Sequence, residues 1–238
     1  MAKILFIKPN TVIHIGADRG QSREQYLKLG CTNIIWCEAD PVNVKTLRTN
    51  FPNDRVIPGV AWDSSSKDFK FYITKNRAHN SAIKPVKNIG SEYLRTIKIK
   101  SYSIDDVVKV SDLTGKTLVV IDVQGAEEFV LKGAIKILSR VEYLIIEIAM
   151  TSQGYEYTPL ESSINNIVNQ NGFKPTIFRL SHDGSYKDQL YIKCSDSRIT
   201  IIKSLDYIFS FFMSLRHALT QNHWPDYYYS CKKCEINN

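Results

Sequence analysis

The sequence predicts an α/β fold, in which a doubly wound and mostly parallel sheet carries an inserted β pair and a C-terminal helical extension. Short apolar runs typical of strands alternate along the chain with helical patterns. Three of these runs, residues 12–15, 118–121 and 144–146, are almost continuously apolar. Strands of that kind are buried on both faces, as in a parallel sheet. The 238 residues suffice for one such domain and an appendage.

The strands are predicted from runs rich in β-branched and aromatic residues. Two further segments, residues 68–73 and 96–100, alternate between apolar and polar residues, which indicates an inserted antiparallel pair. The main sheet is expected to contain seven strands, at residues 11–16, 34–38, 55–61, 117–123, 142–148, 173–180 and 189–194.

The helices between these strands are predicted from their start and stop signals. Asp40 is a typical N-cap and Pro41 a typical first helical residue, whereas Thr158 and Glu161 have the spacing of a capping box. These signals predict helices over residues 21–29, over residues 42–50, from Gly125 onward, and from Thr158 to residues 171–172.

Residues 1–194 are predicted to form the main domain and residues 195–238 an extension of different character. Residues 199–219 carry apolar side chains at helical spacing, so we expect a helix that packs on the domain or on a second copy of the chain, giving a homo-oligomer. A contact with a membrane surface is a further alternative. Cys231 and Cys234 form a lone C-x-x-C pair, which is a weak indication of zinc.

The composition predicts a soluble, cytoplasmic protein. No apolar stretch reaches the roughly 18 residues of a transmembrane segment. The N-terminal residues lack the cleavage pattern of a secretory signal. The cysteine count of five is odd, which favours reduced thiols over a disulfide framework.

Positive charge is concentrated in residues 64–100. This segment contains nine Lys or Arg residues and two acids, a net charge of +7 that equals the net charge of the whole chain. A basic surface attracts anionic partners such as phosphates, acidic sugars or nucleic acid. The simpler interpretation is a solvated strand face.

A glycine-containing turn follows the first predicted strand. Gly16 and Gly20 lie between this strand and a helix, where glycines let a ligand approach the backbone and the helix offers free N–H groups. The pattern indicates a nucleotide-like cofactor, with a plain tight turn as the alternative. Its G-x-x-x-G spacing differs from the G-x-G-x-x-G of dinucleotide-binding proteins.

Acidic side chains follow the second and fourth strands. Glu38 ends the second strand about 20 residues after the glycine turn, where a carboxylate can accept both hydroxyls of a ribose. The alternative for Glu38 is a solvent-facing acid. Asp122 and Gln124 end the central fourth strand, so we expect them to face the cofactor. Glu127, in the first turn of the next helix, serves either catalysis or the helix dipole.

Taken together, these motifs resemble the FkbM-type methyltransferases, which depend on S-adenosyl-L-methionine. The similarity spans roughly residues 11–193 and is most specific in IDVQGAE followed by LKGA. The matching motifs are IGADRG, WCEADP, VIPGVAWD, the NSA of residues 80–82, SIDDVV, IDVQGAEEFVLKGA and YLIIEI.

The resemblance implies a Rossmann-like sheet of seven strands with an antiparallel final pair, and it implies roles for individual residues. His14 is a departure, because similar sequences often have an acid there, near the ammonium group of the cofactor. The resemblance places Gly16, Asp18 and Gly20 at the methionine portion, Glu38 at the ribose, Ala61, Trp62 and Asp63 at the adenine, and Asp122 and Gln124 where cofactor and acceptor meet.

The predicted reaction is O-methylation of a hydroxyl on a sugar, glycolipid or related small-molecule acceptor. A hydroxyl must lose its proton, so a base is expected nearby. Asp122 is the first candidate and Glu147 the second, whereas His79 and His182 are more typical of loop surfaces. No decisive metal-ligand spacing is present. The alternatives are an NAD-dependent oxidoreductase and an inactive Rossmann-like interaction module.

Overall fold

The computed structural model of the protein describes residues 7–86, 91–150, 154–182 and 186–193. The predicted C-terminal extension, with Cys231 and Cys234, lies outside these residues. No helix within the described ranges is long and apolar enough to cross a membrane.

The described residues form ten strands and six α-helices. The strands are β1 (Thr11–Ile15), β2 (Asn33–Glu38), β3 (Arg55–Pro58), β4 (Val60–Ala61), β5 (Asp68–Thr74), β6 (Tyr93–Tyr102), β7 (Thr117–Ile121), β8 (Tyr143–Ala149), β9 (Phe173–His182) and β10 (Tyr186–Lys193). The helices are α1 (Arg23–Lys28), α2 (Pro41–Asn50), α3 (Ile104–Val107), α4 (Glu127–Lys132), α5 (Ile135–Leu138) and α6 (Glu161–Gln170), with 3-10 turns at Arg77–His79 and Val110–Asp112.

Seven strands form the main sheet in the order β3-β2-β1-β7-β8-β10-β9. The first five are parallel, and β10 runs antiparallel to both β8 and β9. Apolar side chains on the two faces of the sheet form two separate cores. The predicted fold class, a mostly parallel seven-stranded α/β sheet with an antiparallel final pair, is confirmed.

The prediction of one continuous strand over residues 55–61 is wrong. The chain turns at Gly59, whose φ of +128° is favourable only for glycine, and the Gly59 N–H donates to the Glu38 carbonyl at 2.9 Å. β3 therefore stays in the main sheet beside β2, while β4 pairs with β6 in a second sheet of order β4-β6-β5.

Of the two helix caps predicted from sequence, one is confirmed and one is wrong. Asp40 accepts a hydrogen bond from the Val42 N–H at 2.9 Å and caps α2. The helix predicted from Thr158 begins at Glu161 instead, with Leu160 as its N-cap residue. The Thr158 hydroxyl is buried without a hydrogen-bond partner and takes no part in a capping box.

The inserted sheet carries the basic segment. Its apolar face packs on Trp62, Ala126 and Phe129. Lys70 and Lys98 are exposed and lie directly opposite each other on β5 and β6. Five other cations of the segment have an acid partner, in the pairs Lys67–Asp63, Lys75–Glu92, Arg77–Asp40, Lys84–Glu156 and Lys100–Asp68. This local pairing reduces the positive field that the sequence alone suggests.

Candidate active site

A cavity of about 320 Å³ opens at the carboxyl ends of β1, β2 and β7. From β1 the chain adds β2 and β3 on one side of the sheet and then β7 and β8 on the other side. In open α/β sheets, ligands bind at such a switch point. Six of the predicted site residues line this cavity, namely Gly16, Asp18, Glu38, Ala61, Asp122 and Gln124.

Four other predicted site residues do not line the cavity. Gly20 packs against Phe51 and Leu47, where a Cβ would be too close to both side chains. Trp62 turns away from the cavity and stacks on Phe129, with 4.0 Å between ring centroids. The exposed Asp63 pairs with Lys67 at 3.2 Å. Glu147 lies behind Gln124.

The glycine turn holds two strand ends together as well as bordering the cavity. Gly16 has a φ of +83°, and a Cβ there would overlap the carbonyl oxygen of Asp122. The Asp122 N–H donates to the Ile15 carbonyl at 2.9 Å, which fixes the end of β7 against the end of β1. Gly16 is therefore required by the protein's own packing, a reason that the sequence pattern did not reveal.

Glu38 is buried, with only 7% of its surface exposed, and it borders the cavity. One carboxyl oxygen accepts from the Asp18 N–H at 2.8 Å and the other from the Asp40 N–H at 2.7 Å. Burial raises the pKa of Glu38 to about 7. The alternative of a solvent-facing acid is wrong, and Glu38 changes charge near neutral pH.

His14 lies in the cavity wall as a neutral imidazole. Its Nδ1 is 2.9 Å from the Tyr26 hydroxyl, and burial lowers its pKa to about 4. His14 therefore supplies no charge to the cavity. The nearby Asp18 carboxylate accepts hydrogen bonds from Gln21 at 2.5 Å and from Asn43 at 2.8 Å.

Asp122 and Glu147 come together through Gln124. The Gln124 Nε2 donates to Asp122 Oδ1 at 2.8 Å and to Glu147 Oε2 at 2.7 Å. Burial and the charge of Asp122 raise the pKa of Glu147 well above its usual range. Glu147 is consequently protonated near neutral pH, and Asp122 is the member of the pair that borders the cavity.

Glu127 acts locally on its own helix. Its Oε1 accepts from the Gly125 N–H at 3.0 Å and from the Val123 N–H at 3.3 Å. Burial raises the pKa of Glu127 to about 7. These bonds favour the structural interpretation of Glu127 over a catalytic one.

Two loops contribute residues to which sequence reasoning assigned no role. Arg77 and Asn80 both donate to the buried Asp40 and line the cavity. Ser81 donates to the Gln124 carbonyl at 2.7 Å, and Tyr155 donates to the Gln124 side chain at 3.1 Å. The NSA motif was a signal for Asn80 and Ser81, whereas Tyr155 lies in no recognised motif.

His79 and His182, the two histidines considered as catalytic bases from the sequence, occupy different positions. His79 is half-buried, which lowers its pKa, and it does not line the cavity. His182 ends β9 at the far edge of the sheet. In the described part of the chain, no three His, Cys, Asp or Glu side chains are grouped in a way that would hold a metal ion.

The family follows from a comparison with known protein domains. The sequence model of the methyltransferase FkbM domain matches residues 14–175, more than half of the chain. The chain belongs to the FkbM methyltransferase family. It therefore contains a methyltransferase FkbM domain, and the NAD-dependent oxidoreductase alternative is not favoured. No relative with a curated description matches the sequence.

Several solved structures are similar to this chain at low sequence identity. The FkbM methyltransferase from Methylobacillus flagellatus is 16% identical with a TM-score of 0.47, and the match covers 78% of this chain and 44% of that one. A protein of the NADB-Rossmann superfamily from Streptococcus agalactiae is 10% identical (TM-score 0.45; 79% and 64% covered). A TehB-like SAM-dependent methyltransferase from Corynebacterium glutamicum is 10% identical (TM-score 0.41; 79% and 83% covered). This chain thus spans less than half of the Methylobacillus protein.

Proposed function

We propose that this protein is an O-methyltransferase acting on a hydroxyl of a sugar, glycolipid or related small-molecule acceptor. The observation that carries the proposal is the carboxyl group of Asp122, which borders the cavity and is bridged through Gln124 to Glu147, whose pKa is raised well above its usual range. A hydroxyl has to lose its proton when it is methylated, so a carboxylate base is useful to this reaction.

The cavity residues fit S-adenosyl-L-methionine. Glu38 is a buried acid at the end of β2, suited to accept hydrogen bonds from two ribose hydroxyls. The turn of Gly16 and Asp18 would hold the methionine portion, and the apolar wall that includes Ala61 and Phe71 would hold the adenine. Trp62 and Asp63 would then support this wall from outside the cavity.

Asp122 and Glu147 would have different roles in the transfer. S-adenosyl-L-methionine supplies, when bound, a methyl group on a positively charged sulfur. Asp122 would orient the acceptor hydroxyl and take its proton, because it is the acid of the pair that borders the cavity. Glu147 would act from behind, with Gln124 between it and the cavity.

The test is transfer of labelled methyl from the cofactor to a panel of neutral glycans, anionic glycans, glycolipids and RNA. We expect label in a methyl ether, which survives mild alkaline hydrolysis, and loss of labelling in Asp122→Asn. Label on nitrogen or on a carboxyl ester would overturn O-methylation of a hydroxyl. If S-adenosylhomocysteine fails to bind in calorimetry, the inactive interaction module becomes the better interpretation.

A further inference from the structure

Gln124 is the centre of a hydrogen-bond network in which each polar atom of its carboxamide has a partner. Its nitrogen donates to Asp122 and Glu147, and its oxygen accepts from the Tyr155 hydroxyl. Its backbone has a φ of +56°, and its carbonyl accepts from Ser81 at 2.7 Å. The side chain and the backbone of Gln124 are thus both held in place.

Tyr155 supports the observed orientation of this carboxamide by contacting its oxygen. Its side chain is buried, with 4% of the residue exposed, and its single hydroxyl hydrogen is shared between Gln124 Oε1 at 3.1 Å and the His79 carbonyl at 3.0 Å. Burial raises the pKa of Tyr155, so the hydroxyl remains a donor. A carboxamide turned by 180° would place its oxygen against the carboxyl oxygen of Asp122 and lose the hydrogen bond that Nε2 now donates to it.

The position of Tyr155 is fixed by another part of the chain. Residues 84–86 and 154–156 run antiparallel, with a β-bridge between Pro85 and Tyr155. The Val86 N–H donates to the Gly154 carbonyl at 2.9 Å, and the Glu156 N–H donates to the Lys84 carbonyl at 2.8 Å. The backbone of Tyr155 is therefore held against residues 84–86, and this places its hydroxyl beside Gln124.

We infer that Tyr155 is a positioning residue for the methyl transfer proposed above, because its hydroxyl orients the Gln124 carboxamide, which holds the Asp122 carboxylate at the cavity. The catalytic part of this inference rests on the proposed function. The effect on Asp122 itself is independent of the acceptor, since it is a property of the hydrogen bonds within the protein.

The first experiment compares Tyr155→Phe with Tyr157→Phe. Tyr157 is a matched control, because it lies on the same segment but its hydroxyl donates to Glu128, at 2.7 Å. Carboxyl-carbon NMR titration of Asp122 should show its pKa raised by about one unit in Tyr155→Phe, because a carboxylate that loses a donor holds its proton more tightly. Tyr157→Phe should leave this titration as in the wild type.

Kinetics give a second readout. Tyr155→Phe should lower the saturated rate by roughly tenfold or more and shift the acidic limb of the pH profile upward, with S-adenosylhomocysteine affinity within about twofold of the wild type. An unchanged Asp122 titration overturns the inference, as does an unchanged saturated rate and pH profile in an enzyme with measurable activity. A lower melting temperature as the sole effect assigns Tyr155 a structural role and also overturns it.

A double-mutant cycle tests whether Tyr155 acts through Gln124. Gln124→Met keeps the length of the side chain and removes its hydrogen bonds. In this background Tyr155→Phe should have no further effect on the Asp122 pKa, whereas additive effects would overturn the inference. If the wild type methylates no acceptor, the proposed function fails, and the NMR titration still decides the role of Tyr155.

Discussion

Binding of S-adenosylhomocysteine should weaken as the pH falls below about 7, because Glu38 then loses its charge. Glu38 is buried at the cavity and has a pKa raised to about 7. A carboxylate accepts hydrogen bonds from ribose hydroxyls more strongly than a neutral carboxyl does. The perturbations that isolate this effect are pH and the substitution Glu38→Gln, which is neutral at every pH.

The magnitude follows from the titration. With a pKa of about 7, the charged fraction of Glu38 falls about tenfold between pH 8 and pH 6, and the dissociation constant should rise by the same factor. The largest possible loss of affinity depends on the two hydrogen bonds to the ribose. Exchanging two charge-assisted hydrogen bonds for two neutral ones loses roughly 1 kcal/mol each, which is about thirtyfold in affinity. Glu38→Gln should bind about thirtyfold more weakly at pH 8 and show no pH dependence from this group.

The assay is isothermal titration with S-adenosylhomocysteine between pH 5.5 and 8.5. Glu38 accepts hydrogen bonds from the backbone N–H groups of Asp18 and Asp40, and in Glu38→Gln the NH₂ group cannot accept one of them. Because this loss could also lower stability, the melting temperature of each variant is measured alongside. Glu24→Gln is the control, because Glu24 is exposed and pairs only weakly with Lys28, at 3.6 Å. Equal affinity at pH 6 and pH 8 in the wild type, or an unaltered pH dependence in Glu38→Gln, would refute the assignment to Glu38.

Three further predictions concern the site and its support. Asp122→Asn should lower the saturated rate by roughly 10²–10⁴-fold with little change in S-adenosylhomocysteine affinity, and a normal rate would remove Asp122 from catalysis. Urea unfolding of the cofactor-free protein should show stability falling as the pH rises from about 5 to 7. Glu38 and Glu127 have pKa values raised from 4.5 to about 7, so the folded state binds their protons more tightly, and within this pH range each contributes a loss of roughly 1.4 kcal/mol per pH unit. A flat profile would contradict these pKa values. Gly133→Ala should cost about 3 kcal/mol or more in urea unfolding, because its Cβ would overlap the Trp62 carbonyl, whereas the surface change Lys136→Ala should stay within about 0.5 kcal/mol.

Glu38 and Asp122 could be predicted from sequence because each follows directly from a strand that the apolar pattern reveals. The carboxyl ends of parallel strands meet at one edge of the sheet, so spacing alone indicates that these acids are close together. Trp62 shows the limit of this reasoning. It adjoins Ala61, a cavity residue, yet its ring faces Phe129, because the direction of a side chain at a strand end depends on what packs beside it.

The sequence by itself determined the order of strands and helices, the parallel character of the central strands and the acids that follow β2 and β7. These features depend on apolar periodicity and on residues that are near one another in the chain. Only the tertiary structure decided that β4 leaves the main sheet, that Gly16 makes room for the Asp122 carbonyl, and that Tyr155 reaches Gln124. The physical reason is that each of these depends on a contact between segments far apart in sequence, where the local pattern of one segment carries no information about the other.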